Sequence, residues 1–404
     1  HFGDSTTGNI DVGYVETTST GQQYTWFTEF NVTKVDATIE YIELDVPVEL
    51  LKFYVGETFN VNGLVVTAHY TNNTTADVTS ECVYDPAIGT VLTEIGSLNV
   101  TVSYTYRGKT VTGGFCTKVF ETPAYLTFSS PNSFTISHIT HSQNTWDGLL
   151  ETSMDGGKTW VAFNNGDSVQ SGSENTILMR GAGNTVITNQ DTTFEMVGRE
   201  ISCDGNIEAL LDWQTVKSGG HPTMGSYAFK CIFEGCTNLV KAPEFLAETL
   251  SVGCYDSAFS DCTGLVTGPS ILPAKTLTSD CYYSMFYGCS SLVLPPLITA
   301  ESLGSSCCSS MFYGCESLIA LPELKADELT LACYLSMFDG CAKIKISTVQ
   351  DSEYKNLYRI PSSGAGVIAT NSLARMFYNT GGTFTGTPQI NTTYYTSNTV
   401  IPAS

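Results

Sequence analysis

Cysteine is the residue type that could do the most chemistry in this sequence, because a thiolate can bind metal or form disulfides. The chain of 404 residues has 14 cysteines. The spacing lacks the close pairs of a compact zinc site, and the adjacent Cys307 and Cys308 point in two directions. Stacked repeats would bring equivalent cysteines within bridging distance, so disulfides stay open, but packing explains each position equally well. We expect no metal and mainly free, buried thiols. Nine cysteines recur in two columns: Cys236, Cys262, Cys289, Cys315 and Cys341, and Cys254, Cys281, Cys307 and Cys333.

A second candidate for chemistry is SMDGGKTW at Ser153–Trp160, which fits the Asp-box form familiar from sialidases. Enzymes with this motif use several copies, an arginine cluster and a nucleophilic Tyr. Here the motif occurs once, and Arg180 and Arg199 stand alone in the segment. The motif therefore predicts a hairpin in which Asp155 caps a Gly-Gly turn and Trp160 packs beneath it, with a glycan hydrolase as the remote alternative.

The histidines give little indication of a metal or catalytic site. His138 and His141 are three residues apart in a predicted strand or bend, a pattern more typical of a surface polar pair than of a metal site. The sequence contains no G-x-S-x-G, P-loop or H-E-x-x-H motif. We therefore expect no catalytic residue, no metal and no cofactor, and hence a protein that is not an enzyme.

The charge balance limits the partners. The net charge is −22, from 18 basic and 40 acidic residues. Nucleic acid is not expected as a partner, because phosphate binding needs clustered Lys and Arg. No apolar run reaches the roughly 18 residues of a membrane helix, so we expect no membrane insertion. The chain opens at His1 rather than Met, and we expect a processed or trimmed product.

The cysteine columns belong to a larger repeat, in which Phe is followed by Cys three positions on and by an aliphatic residue six positions on. That spacing predicts a short helical or 3₁₀ turn, which the following Pro ends before a short strand. One unit cannot bury its apolar side alone, so we predict a stacked solenoid with these residues inside. The predicted repeat core is Phe233, Phe259, Phe286, Phe312 and Phe338 with Cys236, Cys262, Cys289, Cys315 and Cys341.

The segments SAFSDCTGLV (Ser257–Val266), SMFYGCSSLV and SMFYGCESLI resemble the BspA-type leucine-rich repeat. The resemblance covers about residues 219–347. Lys345 and Ile346 stand where the family has Pro, and a degraded further coil is expected at LARMFYNTGG. The resemblance implies a surface protein of gut or oral bacteria, or of gut phages, with a role in adhesion and display.

The N-terminal half alternates apolar and polar residues between turn signals. GETF, VTAHYTNNTT and LNVTVSY within residues 41–120 resemble a bacterial immunoglobulin-like domain, and in the last of these Val100, Val102 and Tyr104 alternate with Thr and Ser. The predicted fold class is mostly β and multidomain: an immunoglobulin-like β-sandwich, a second small β domain and a leucine-rich-repeat solenoid. The predicted segments are 1–40 (extended, docking), 41–120 (sandwich), 121–213 (β-rich with the Asp-box hairpin), 214–347 (solenoid) and 348–404 (C-terminal cap).

Tyrosines beside the repeat columns are the candidate binding residues. Rows of exposed rings could stack on sugars or contact protein, or could merely cover the coil edges. The expected function is extracellular display or adhesion toward a host-surface protein or glycan, from a bacterial cell surface or a phage virion. The alternative is a virion structural protein, such as a head fibre, decoration or tail-associated subunit, attached to a capsid, tail or envelope anchor through its N-terminal region; a homo-oligomer stays open. The five candidate residues are Tyr255, Tyr282, Tyr287, Tyr313 and Tyr334.

Overall fold

The computed structural model describes residues 7–17, 23–33, 37–55, 58–120, 124–140, 148–188 and 192–402. The chain divides into two compact units, His1–Glu121 and Thr122–Ser404. Strands dominate both, so the expectation of a mostly β chain with more than one domain is confirmed. The last three predicted segments fall within the second unit, and the finer division stays a prediction.

In its described residues, the first unit contains nine strands in three sheets. Strands β1 and β2 form an antiparallel ribbon of their own, in which Thr7 lies opposite Thr33. The other two sheets have the orders β3-β5-β6 and β4-β9-β8-β7. The strands are β1 (Thr7–Thr17), β2 (Gln23–Thr33), β3 (Ile39–Asp45), β4 (Lys52–Tyr54), β5 (Val65–Tyr70), β6 (Thr75–Asp77), β7 (Val83–Asp85), β8 (Gly96–Tyr106) and β9 (Lys109–Phe120), with 3₁₀ turns at Val48–Leu51 and Thr79–Glu81.

Both larger sheets of this unit contribute to one hydrophobic core, with Val66 from β5 and Val102 from β8 fully buried. Along β8, Val100, Val102 and Tyr104 are buried while the residues between them are not, because side chains alternate across a strand. The hairpin between β8 and β9 turns through Arg107 and Gly108, both with positive φ, as a tight two-residue turn requires.

The second unit begins with two sheets that lead into the repeats. The six-stranded sheet has the order β13-β12-β15-β10-β17-β18, and β14-β11-β16 form the other. Strand β18 belongs to the first repeat and pairs in parallel with β17, so the sheet continues into the repeat region. The elements are β10 (Leu126–Ser129), β11 (Thr135–Thr140), β12 (Leu150–Ser153), β13 (Val161–Ala162), β14 (Ser168–Gln170), β15 (Thr176–Gly181), β16 (Thr192–Val197), β17 (Ile201–Asp204), α1 (Ala209–Lys217) and β18 (Leu239–Lys241).

The remaining strands are short and lie in the repeats and the C-terminal segment. Parallel pairs join β19 to β20, β21 to β27 and β22 to β25, and an antiparallel sheet has the order β23-β26-β24. One core cluster extends from Leu126 to Tyr394. The strands are β19 (Ile271–Leu272), β20 (Leu297–Ile298), β21 (Ala320–Pro322), β22 (Glu328–Leu329), β23 (Ile346–Ser347), β24 (Asn356–Arg359), β25 (Val367–Ile368), β26 (Thr393–Thr396) and β27 (Thr399–Ile401).

The segment before each repeat cysteine is a run of turns, so the expected helical or 3₁₀ turn is wrong. Every second backbone N–H group donates its hydrogen bond to a carbonyl oxygen of the next repeat. Those of Tyr255 and Phe259, for example, donate to the carbonyls of Cys281 and Met285 in the next repeat. The intervening N–H groups donate three residues back within their own repeat, as Cys262 does to Phe259. The backbone is therefore shared between turns and inter-repeat hydrogen bonds, which a helix does not permit.

Left-handed residues occur at every fourth position of these runs. In one repeat they are Asp280, Ser284 and Gly288, with φ of 57°, 49° and 70°. The last position is held by Gly288, Gly314 and Gly340 in the three SMFYGC-type segments. The recurring glycine is thus explained by a backbone conformation that L side chains adopt at a cost of about 1–2 kcal/mol.

Candidate functional site

The predicted core phenylalanines form a single stack of rings inside the repeats. Ring centroids are 5.3 Å apart for Phe233 and Phe259 and 5.6 Å apart for Phe312 and Phe338, with interplanar angles of 14° and 5°. Phe377 continues the stack at 5.8 Å from Phe338, in the segment where a degraded further coil was expected. All six rings are fully buried, so they are packing residues.

The cysteines that follow the rings are buried donors of hydrogen bonds. The thiol of Cys289 donates to the carbonyl oxygen of Phe259 over 3.0 Å, and that of Cys315 donates to Phe286 over 3.1 Å. Burial raises the pKa of Cys236 to about 12, and that of Cys289 is raised well above its ordinary value for the same reason. These groups therefore stay as neutral thiols and are poor nucleophiles.

All 14 cysteines are free thiols, and 12 of them are buried. In the described part of the chain, no group of three or more His, Cys, Asp or Glu residues is placed to hold a metal ion. The thiols are thus arranged for packing and hydrogen bonding between repeats, which is consistent with the small, apolar character of cysteine.

Three of the five candidate tyrosines require a correction. Tyr255, Tyr282 and Tyr334 are each only 1% exposed, so they cannot form an exposed row. Tyr255 stacks on Tyr282 at 6.0 Å and on Phe229 at 5.7 Å, and these residues form a second interior column four positions before the Phe column. Phe229 occupies the same position in an earlier repeat. A phenylalanine there, which has no polar group, indicates in the sequence that this position is interior.

Tyr287 and Tyr313 remain at the surface, where both are half-buried. Their rings stack at 4.7 Å with an interplanar angle of 5°. The equivalent residue of the preceding repeat is Ser260, and that of the following repeat is Asp339, whose carboxylate is buried. The tyrosine pair is therefore bounded on either side by positions without an exposed ring.

A second surface feature that sequence reasoning missed lies next along this column. Arg375 Nη2 donates to Asp339 Oδ2 over 3.0 Å, and its guanidinium lies 4.6 Å from the ring centroid of Tyr378. Tyr378 is 46% exposed. The lateral surface of the last repeats thus presents aromatic rings together with the guanidinium of Arg375, a combination that can stack on a ligand and donate hydrogen bonds to it.

The Asp-box segment folds as a closed local structure. Asp155 Oδ1 accepts hydrogen bonds from Ser153 Oγ and from the N–H groups of Lys158 and Thr159, at 2.8–3.0 Å. These bonds and that from Thr159 Oγ1 hold the pKa of Asp155 well below its usual range. The carboxylate is therefore held ionised by its own loop, as a structural cap rather than a proton donor.

Arg180 contacts two aromatic rings and one carboxylate. Its guanidinium lies 3.9 Å from the Trp160 ring centroid and 4.3 Å from that of Trp213. Its Nε and Nη2 both donate to Glu151 Oε2 at 2.9 Å. The side chain joins the Asp-box hairpin to α1 and is occupied by these contacts.

His138 is fully buried and packs against Phe163 and Phe194, with ring centroids 6.0 and 5.6 Å away. Burial lowers its pKa to about 4, so the ring is neutral at pH 7. It is a core residue and not the surface residue that was expected. His141 lies outside the described residues.

In the described residues, no helix is long and apolar enough to cross a membrane. Comparison with protein-family models, with curated proteins and with solved structures gives no match to this chain.

Proposed function

We propose that this chain is a non-enzymatic display or adhesion protein, in which β modules present a leucine-rich-repeat solenoid of the BspA type to a host protein or glycan. The support is the stacking of equivalent residues. Rings, thiols and backbone hydrogen bonds recur from repeat to repeat, and the interior residues have no access to a substrate. Such a stack offers a regular lateral surface. In this reading the first unit is an immunoglobulin-like spacer outside a cell or on a virion.

The contact surface in this proposal is the pair Tyr287 and Tyr313, because these rings are accessible while the other candidate tyrosines are buried. The test is binding of the full chain to arrays of glycans and of host-surface proteins. The double variant Tyr287→Ala/Tyr313→Ala should lose about 30-fold in affinity, since each of the two aromatic contacts is worth roughly 1 kcal/mol beyond its area. Tyr283→Ala, which removes a 38% exposed ring from the same repeat, is the matched control. Unchanged binding by the double variant would contradict this surface.

A second proposal is attachment to a particle through the N-terminal ribbon. Eleven residue pairs join β1 to β2, and the register sets Ile10 opposite Phe30 and Tyr14 opposite Trp26. A two-stranded ribbon is marginally stable alone in water, so it gains stability by adding to another sheet. Deleting residues 1–36 should abolish co-sedimentation with phage particles or self-association of the purified chain. The full chain and the chain without residues 1–36 are compared by analytical ultracentrifugation. If both show the same self-association and the same co-sedimentation with particles, this proposal is wrong, and the adhesion proposal is unaffected.

A further inference from the structure

Glu208 is a buried carboxylate at the start of α1, with no exposed side-chain surface. Its Oε2 accepts hydrogen bonds from His221 Nδ1 over 2.8 Å and from Asn206 Nδ2 over 3.1 Å. Within the described residues, its Oε1 has no hydrogen-bond partner. A buried carboxylate costs several kcal/mol unless a cation and hydrogen bonds compensate for its lost hydration. The imidazolium of His221 is therefore an important part of this arrangement.

His221 stands in the segment between α1 and the first repeat, and its side chain is 46% exposed. The segment runs through Ser218, Gly219 and Gly220 and continues with Pro222. Farther on, Gly225 N donates to the carbonyl of Thr185 over 2.7 Å. We name residues 218–226 the junction loop. The loop is connected to α1 at its first residue, is held by the backbone hydrogen bond of Gly225 near its end, and carries the ion pair of His221 with Glu208 between these two points.

The groups around the pair favour a protonated His221. The hydrogen bond that His221 donates to Glu208 raises the pKa of His221, and the charges of Glu208 and Glu248 act in the same direction. On the interior side, Tyr255 is 1% exposed, and its hydroxyl has no hydrogen-bond partner within the described residues. Burial raises the pKa of Tyr255 well above its ordinary value, so this residue adds no charge at neutral pH. Loss of the His221 proton would leave the buried carboxylate of Glu208 without its paired cation.

We propose that Glu208 and His221 form a pH-dependent latch, which holds the junction loop against α1 while His221 is protonated and loosens when that proton is lost. The direction follows from linkage. A histidine with a raised folded-state pKa contributes stability that is fully present below about 6.5 and is lost as the pH rises through the folded value. Loosening the loop exposes Met224, which is 9% exposed and contributes to the main core at the entrance to the repeats.

The test combines an NMR titration of the five histidines with hydrogen exchange of the full chain at pH 6 and pH 9, corrected for intrinsic rates. In the wild type, corrected exchange in residues 218–226 should be several-fold faster at pH 9 than at pH 6, because the stability linked to the His221 proton is lost at the higher pH. In Glu208→Gln the pKa of His221 should fall toward 6.5. In His221→Gln the loop should exchange rapidly at both pH values.

His221→Lys supplies a cation that stays charged across this range and should keep the loop protected at pH 9. This variant also serves if Glu208→Gln does not fold. His69→Gln changes the other His–Glu pair, His69 with Glu43 in the first unit, and should leave the junction loop unchanged. Equal corrected exchange at both pH values in the wild type, or an unchanged His221 pKa in Glu208→Gln, would overturn the latch.

Discussion

Cys289 Sγ donates a hydrogen bond to the carbonyl oxygen of Phe259, which belongs to the preceding repeat, over 3.0 Å. The same bond joins Cys262 to Phe233 and Cys341 to Phe312, at 2.9 and 3.0 Å. A carbonyl that already accepts the N–H of its own turn thereby gains a second donor. The recurring cysteine is explained by this bond together with its small volume, without disulfide or metal chemistry.

Replacing Cys289 by Ala should lower the free energy of unfolding by about 1–2 kcal/mol, from the lost hydrogen bond and a small residual cavity. Urea unfolding followed by tryptophan fluorescence is the measurement. Cys116→Ala, at an exposed cysteine of the first unit, is the control and should change the free energy by less than about 0.5 kcal/mol. If Cys289→Ala is as stable as the control, the thiol bond contributes nothing.

Phe286 lies in the middle of the ring stack, 5.4 Å from Phe259 and 5.5 Å from Phe312. Phe286→Ala should destabilise the protein by about 3–5 kcal/mol, because it removes buried surface and leaves a cavity between two rings. Tyr283→Ala, at an exposed ring of the same repeat, should cost well below that. Similar midpoints for the two variants in thermal unfolding would show that the stack is not a source of stability.

The left-handed glycines allow a comparison of backbone conformation with packing. Gly314 has φ of 71°, and a Cβ there would meet the nearest atom at 3.8 Å, so Gly314→Ala should cost only the conformational term of about 1–2 kcal/mol. Gly288 has nearly the same φ, but a Cβ there would come within 2.3 Å of Asp261 Oδ1. Gly288→Ala should therefore be the more destabilising of the two in urea unfolding, and the reverse order would contradict the described packing.

The column spacing makes the interior of the repeats recognisable from sequence, because stacking forces equivalent positions into equivalent environments. Tyr255 and Tyr282 follow the same rule, because they occupy the position that Phe229 holds in an earlier repeat. A hydroxyl on an otherwise hydrophobic ring does not reveal whether that ring is inside, since burial depends on the neighbouring repeat.

The turn conformation was not predictable from the i, i+3, i+6 spacing. That spacing suits a helix as well as a run of turns. The left-handed positions carry serine or aspartate, as at Ser284 and Asp280, as well as glycine. The decisive feature is the alternation of hydrogen bonds between the repeat and its neighbour, which depends on contacts 26 residues away. The pair of Arg375 and Asp339 also depends on a contact between distant residues, and an insertion between the two repeats hides their equivalent positions in the sequence.

The buried His138 should make the second unit less stable at acid pH. Its folded-state pKa is about 4 against an ordinary value of 6.5, because burial disfavours the charged ring. The unfolded chain therefore takes up a proton below about pH 6.5 while the folded chain does not, and stability is lost as the pH falls from 6.5 toward 4. Between pH 7.5 and pH 5 this histidine should account for about 2 kcal/mol of lost stability.

The check is the free energy of unfolding of wild type and His138→Phe at both pH values, followed by fluorescence of Trp160 and Trp213. Other carboxylates and histidines titrate in both proteins, so the difference between them isolates this residue. His138→Phe suits a site already bordered by Phe163 and Phe194, although it gives up the histidine's backbone hydrogen bond at Asn164. The variant should lose about 2 kcal/mol less than the wild type on acidification. Equal losses would mean that the ring becomes protonated without leaving its site, and hence that the core around it admits the charge.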